Sequence, residues 1–90
     1  MPLRFHFGAI RITPGAEAAL TVEQAKDLFM RHVRCDWGDM DDEDKAANDR
    51  ALREGGRLMS QYKLADDCVI IWIITEADRS ATTLLLPDEY

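Results

Sequence analysis

The side chains in this chain that could do chemistry crowd into one stretch. Cys35-Asp36-Trp37-Gly38-Asp39-Met40-Asp41-Asp42-Glu43-Asp44 places six carboxylates within nine residues, around an isolated Trp-Gly and directly after the basic residues Arg31, His32 and Arg34. A calcium loop does not fit. Counting from Asp39, the sixth position is Asp44 where glycine is needed, and the twelfth is Arg50 where glutamate is needed. Asp36 and Asp39 could hold Mg²⁺ only loosely. The acids Asp41, Asp42, Glu43 and Asp44 have two further readings: a solvated helix start matched to the positive end of the helix dipole, or a docking surface for a basic protein. Trp37 is either an interaction anchor, since Trp is enriched among binding hot spots, or a lid folded back on the core.

His32 lies four residues before Asp36, a spacing at which a carboxylate near a helix end can pair with the imidazole and raise its basicity. A catalytic dyad would also need a nucleophile and a cleft, and adjacency to Cys35 does not guarantee a thiol–imidazole contact. His6, His32, Cys35 and Cys68 are zinc-ligand types without C-x-x-C or H-x-x-x-H spacing, so neither metal nor cofactor is expected. Glu76, Asp78, Arg79 and Ser80 share one turn, where local hydrogen bonds and an exposed ion pair compete with a functional role. If Asp78 and Arg79 have such a role, partner contact ranks ahead of catalysis. Gly55-Gly56 ends a helix instead of opening one, so it is no phosphate loop.

Local patterning supplies the elements that must position these residues. Leu3 to Thr13 alternates as a strand, with Phe5, Phe7 and Ala9 on one face and His6, Gly8 and Ile10 on the other. Thr13-Pro14 predicts a short helical turn to Leu20. Thr21 and Gln24 form a capping-box pair, and Leu20 and Ala25 a hydrophobic staple. The helix they open carries Val22, Ala25, Leu28, Phe29, His32 and Val33 on one stripe and stops near Arg34 or Cys35. A second helix runs from Asp39 or Asp41 to about Glu54, with a thin stripe of Ala47, Ala51 and Leu52, and Gly55-Gly56 ends it. Three strands follow: Leu58 to Leu64, Val69 to Thr75 and Ala81 to Leu86. The middle strand is apolar on both faces, as a central or partner-covered strand would be. The order β-α-α-β-β-β predicts an α+β domain: a four-stranded, mostly antiparallel sheet with the N-terminal strand at one edge and two helices on one face. Ile70 to Ile74 lead us to expect a partner on the other face.

The chain has 90 residues, 47% of them hydrophobic, which suits a single ordered domain spanning residues 1–90 with a modest core. Little room remains for a deep cleft in a monomer, a limit that homodimerisation would relieve. The net charge is −6. Residues 1–35 hold five basic and three acidic groups, and residues 36–90 six basic and fourteen acidic. An acidic domain repels phosphate backbones, so direct nucleic-acid binding is not expected, whereas a basic protein partner is open. There is no signal-peptide pattern and no run long enough to span a bilayer, and two cysteines make no disulfide framework. These features together predict a cytoplasmic protein.

Several segments resemble a family of small bacterial proteins labelled "plasmid-related protein", some of which carry the label of a type I restriction enzyme M subunit. The segments are Arg31-His32, Asp36-Trp37-Gly38-Asp39, Ala51 to Leu58, Trp72 to Ser80, Thr82-Thr83 and Leu85 to Tyr90. The resemblance implies association with mobile elements and no defined activity. The restriction label carries no weight, because no methyltransferase signature is present. The chain departs from the family pattern at Cys35, where a glycine is expected, and at Asp66-Asp67, where a tighter Asp-Gly turn is expected. The expectation drawn from all of this is a small acidic protein-binding module from a mobile element, an inhibitor or accessory factor of anti-restriction or anti-CRISPR type. Its partner-binding residues would be Asp36, Trp37, Asp39, Asp41, Asp42, Asp44, Asp78 and Arg79. The alternatives are a small enzyme using His32 or the Asp78-Arg79 turn, and a structural homodimer.

Overall fold

A computed structural model describes residues 4–64 and 68–90. Four strands form one sheet in the order β1-β4-β3-β2. Strands β2 (Leu58–Leu64), β3 (Val69–Thr75) and β4 (Ala81–Leu85) make an antiparallel meander, and β1 (Ala9–Ile12) joins β4 in parallel at one edge. The α+β class and the mostly antiparallel sheet are as the sequence predicts. The β2–β3 register runs from Leu58 opposite Thr75 to Leu64 opposite Val69. The Asp66-Asp67 turn joining these strands lies outside the described residues.

Helix α1 (Pro14–Ala19) starts at Thr13, whose hydroxyl accepts from the Ala16 N–H. The expected capping box opens α2 (Val22–Val33): the Gln24 N–H donates to the Thr21 hydroxyl, and the Thr21 N–H donates to the Gln24 side chain. Helix α3 (Asp42–Glu54) has Asp41 at its N-cap, the carboxylate accepting from the Asp44 N–H. Helices α1 and α2 lie over one sheet face, where Ala16 and Leu28 pack with Tyr62, Ile71, Ile73 and Leu84. Helix α3 instead runs beside the outer edge of β2. On the second face, Trp72 donates to the Gln61 side chain and meets the Tyr90 ring edge-on, with Arg57 stacked over that ring.

Three local expectations change. The first strand spans four residues, not eleven. Gly8 breaks it: its φ is +66°, and a Cβ there would meet the Ser80 carbonyl at 2.3 Å, so the chain turns where only glycine fits. Val22 does not join the core stripe of α2, being 70% exposed. Ala47 is exposed on α3, and polar Asn48 takes the buried position beside it.

Cys35 does not deprive α2 of its cap. The Cys35 N–H donates to the His32 carbonyl and the Asp36 N–H to the Arg31 carbonyl, the paired bonds of a Schellman ending, with Cys35 in the left-handed region at φ 67°. A side chain there is strained and glycine is not. Cys35→Gly is therefore expected to stabilise the fold by about 0.5–1 kcal/mol in urea unfolding, after allowing for the greater unfolded-state freedom of glycine. A neutral or destabilising result would show the strain to be relieved elsewhere. Among the described residues, no helix is long and apolar enough to cross a membrane.

Candidate functional site

The residue with most chemical potential, His32, sits at the end of α2 with no exposed surface. Its Nδ1 is 2.6 Å from Ser60 Oγ and its Nε2 is 2.9 Å from Thr75 Oγ1. Thr75 Oγ1 is 2.7 Å from Thr82 Oγ1, and Thr82 donates to the Phe7 carbonyl at 2.8 Å. The carbonyl can only accept, and this sets the direction of every link from Nε2 onward. Thr82 donates to Phe7, Thr75 to Thr82, His32 Nε2–H to Thr75, and Ser60 to Nδ1. Each threonine hydroxyl has one proton and spends it along the chain, so Nε2 carries a proton; burial keeps the imidazole neutral, which leaves Nδ1 to accept from Ser60. The rings of Phe5 and Trp37 meet it edge-on at 5.5 and 5.7 Å. Burial lowers the His32 pKa from 6.5 to about 3.

Ser60 and His32 thus stand at the separation of a nucleophile and its base, with Thr75 as the orienting third group. Ser60, His32, Thr75 and Thr82 are all fully buried, so no substrate reaches the pair. The constellation ties α2 and the N-terminal strap to three strands of the sheet. The sequence-level pairing of His32 with Asp36 does not form; Asp36 pairs with Arg31 instead. His32 has no free lone pair for a metal. Burial also pushes the Cys35 thiol pKa up, disfavouring the nucleophilic thiolate.

The Asp36-Trp37-Gly38-Asp39 segment closes the outer edge of β2. Gly38 bridges Gln61 in parallel. The Gln61 N–H donates to the Trp37 carbonyl at 3.1 Å, the Asp39 N–H to the Gln61 carbonyl at 2.6 Å, and the Lys63 N–H to the Asp39 carboxylate at 2.9 Å. Asn48 completes the seal from α3, accepting from the Met59 N–H at 3.1 Å and donating to the Met59 carbonyl at 2.7 Å. A sheet edge left open is a template for unwanted pairing, and here loop and helix satisfy it in turn. Asn48 is invisible to the helical pattern because its partner lies eleven residues away on another element.

The predicted partner-binding residues therefore divide. Asp36 makes a forked pair with Arg31 at 2.7 and 3.3 Å and accepts from the Gly38 N–H, which lowers its pKa. Both side chains of that pair are about half exposed, 45% and 50%, so it is worth less than ~1 kcal/mol. Trp37 is 4% exposed, its ring in the core and its N–H on Asp49. Asp39 and Asp41 are engaged as described. Asp78 accepts from the Ser80 N–H in the β3–β4 turn. Arg79, at φ 63°, donates to the carbonyls of Gly56 and Ala51 and so pins the end of α3 to that turn. Asp42 and Asp44, with Glu43 between them, are exposed and make no side-chain hydrogen bond or ion pair among the described residues. The structure brings Asp36, Trp37, Asp39, Asp41, Asp42 and Asp44 together along the β2 edge and the adjoining start of α3, while Asp78 and Arg79 lie beyond the other end of that helix. Comparison with protein-family models, with curated proteins and with solved structures returned no match.

Proposed function

We propose that the protein is a small acidic protein-binding module, not an enzyme, and that its contact surface is the start of α3 at Asp42, Glu43 and Asp44. The observation that supports this reading is the division of its polar side chains. His32, Ser60, Asp36, Asp39, Asp41, Asp78 and Arg79 are engaged in holding the fold, whereas these three carboxylates, consecutive in one helical turn, face solvent with no side-chain partner among the described residues. Such a group projects a negative field that speeds encounter with a basic surface and sets its orientation. With the resemblance to plasmid-related proteins, the most concrete form is an inhibitor or accessory factor from a mobile element. It would occupy the basic nucleic-acid channel of a host restriction or CRISPR system, which places it in the cytoplasm.

The test is neutralisation of the three acids together, Asp42→Asn, Glu43→Gln and Asp44→Asn, with the Asp41 cap left intact. Loss of favourable dipole contacts costs about 1–2 kcal/mol, which leaves the circular dichroism spectrum unchanged. Affinity capture from a bacterial extract, quantified by mass spectrometry, should enrich basic nucleic-acid-handling proteins with the native chain and lose them at least tenfold with the variant. Equal capture by both folded proteins would sink this reading.

A further inference from the structure

The two edges of the sheet are treated oppositely. Along β2 every outward backbone group from Met59 to the Lys63 N–H has a partner supplied by the loop or by α3. Along β1 the Ala9 N–H donates to Ser80 and the Thr13 N–H to Leu84. By the pleat, Arg11 turns toward β4 as well, and the N–H and C=O groups of Ile10 and Ile12 point away from the sheet. Among the described residues nothing meets them. Beside this edge, Ile10 is 58% and Ile12 38% exposed. They border a cavity of about 230 Å³ completed by Ala25, Lys26, Phe29 and Leu84.

We propose that the β1 edge is a docking site for an extended segment of another protein, in which two apolar residues flank an acidic one. Added beside β1, such a segment would exchange main-chain hydrogen bonds with Ile10 and Ile12, the usual mode of strand addition. Its apolar side chains would lie beside Ile10 and Ile12, on the face where Ala25 and Phe29 line the groove. Its acid would fall opposite Arg11 on the other face, since directly opposed residues share a face and opposite charges there attract. Arg11 also decides against a second copy as the occupant. An antiparallel β1–β1 pair centred on Arg11 sets two arginines face to face. One centred on Ile10 pairs Ile12 with Gly8, whose φ of +66° is not a strand conformation. The site lies at the edge opposite the acidic flank and does not depend on it.

The experiment uses the full chain and a capped, fluorescein-labelled peptide of sequence Thr-Thr-Val-Glu-Val-Thr-Thr, with a control carrying Lys for Glu. A chain of net charge −6 attracts the Lys peptide non-specifically, so preference for the Glu peptide isolates the local chemistry. Fluorescence anisotropy should give at least fivefold tighter binding of the Glu peptide. Backbone NMR should place the largest amide shifts at Ile10 and Ile12. Ile10→Pro removes an outward N–H and the Ile10 side chain of the groove but no hydrogen bond to β4, a change edge strands tolerate, and should abolish binding with the spectrum otherwise retained. Arg11→Glu should reverse the peptide preference. No preference, or unaltered binding by folded Ile10→Pro, overturns the proposal. A concentration-dependent dimer in sedimentation that Ile10→Pro disperses also overturns it, in favour of a second copy.

Discussion

Gly38→Ala is expected to lower stability by about 3–5 kcal/mol, with a drop in Tm of roughly 15 °C or more for a domain of this size. Three causes act at one atom. Gly38 has φ +76°, where a side chain is strained. A Cβ would also stand 2.2 Å from the Gln61 carbonyl oxygen and 2.6 Å from the Tyr62 ring, which is fully buried and cannot give way. Moving the loop to relieve the clash breaks the bonds from the Gln61 N–H to Trp37 and from the Asp39 N–H to Gln61, unsealing β2. Gly55→Ala separates these causes. Gly55 also has a positive φ, +85°, but a Cβ there meets nothing within 4 Å, so it carries strain alone and should cost about 1–2 kcal/mol. Chemical unfolding of both variants checks the comparison. Equal losses would mean that the loop does not seal the edge. The unsealed β2 edge should also make Gly38→Ala associate at concentrations where Gly55→Ala stays monomeric.

How much of this is legible in the sequence follows from the range of each interaction. Strands β2 and β3 are readable to the residue, because alternation and a two-faced apolar run are local signals. The caps at Thr13 and Thr21 are readable for the same reason, each being a side chain reaching a backbone N–H three residues on, and of the two starts offered for the next helix, Asp39 and Asp41, it is Asp41 that caps it. The first strand reads too long, because alternation from Leu3 onward says nothing about Gly8 passing against Ser80. Asp36-Trp37-Gly38-Asp39 stands out as distinctive, and its purpose does not. The segment makes sense only beside Gln61 and Lys63, more than twenty residues on. The lone Trp-Gly is a core ring followed by the one residue that can approach β2. His32 stands out in the sequence with the wrong partner. Helical spacing offers Asp36, while Ser60 and Thr75 come from strands whose mutual register periodicity does not show, and β3, apolar on both faces, does not declare its inward side either.

That mispaired histidine yields the second large effect, a loss of stability on mild acidification. Folded His32 has a pKa of about 3 against 6.5 when exposed, so below pH 6.5 the unfolded chain binds a proton that the folded chain refuses. Stability is full above 6.5 and falls by about 1.4 kcal/mol for each pH unit below it, until the folded group itself titrates near 3. The full span is on the order of 5 kcal/mol, a large part of what a small domain has. Asp36, Asp78 and Glu89 have pKa values held below the ordinary carboxylate range by their hydrogen bonds. Their contribution is present above that range and is lost only as pH falls through it. The window from pH 6.5 to 5 therefore belongs to His32, and urea unfolding across it should show a loss of about 2 kcal/mol. His32→Gln keeps a donor for Thr75 and cannot titrate. It should cost about 1–3 kcal/mol at pH 7.5 through imperfect packing and hydrogen bonding, yet show a flat profile across the same window. A native protein whose stability does not change from 6.5 to 5 would mean that the interior accommodates an imidazolium. Ser60 would then have to turn its proton away from Nδ1, and the one-way hydrogen-bond chain from Ser60 to the Phe7 carbonyl would have to be redrawn.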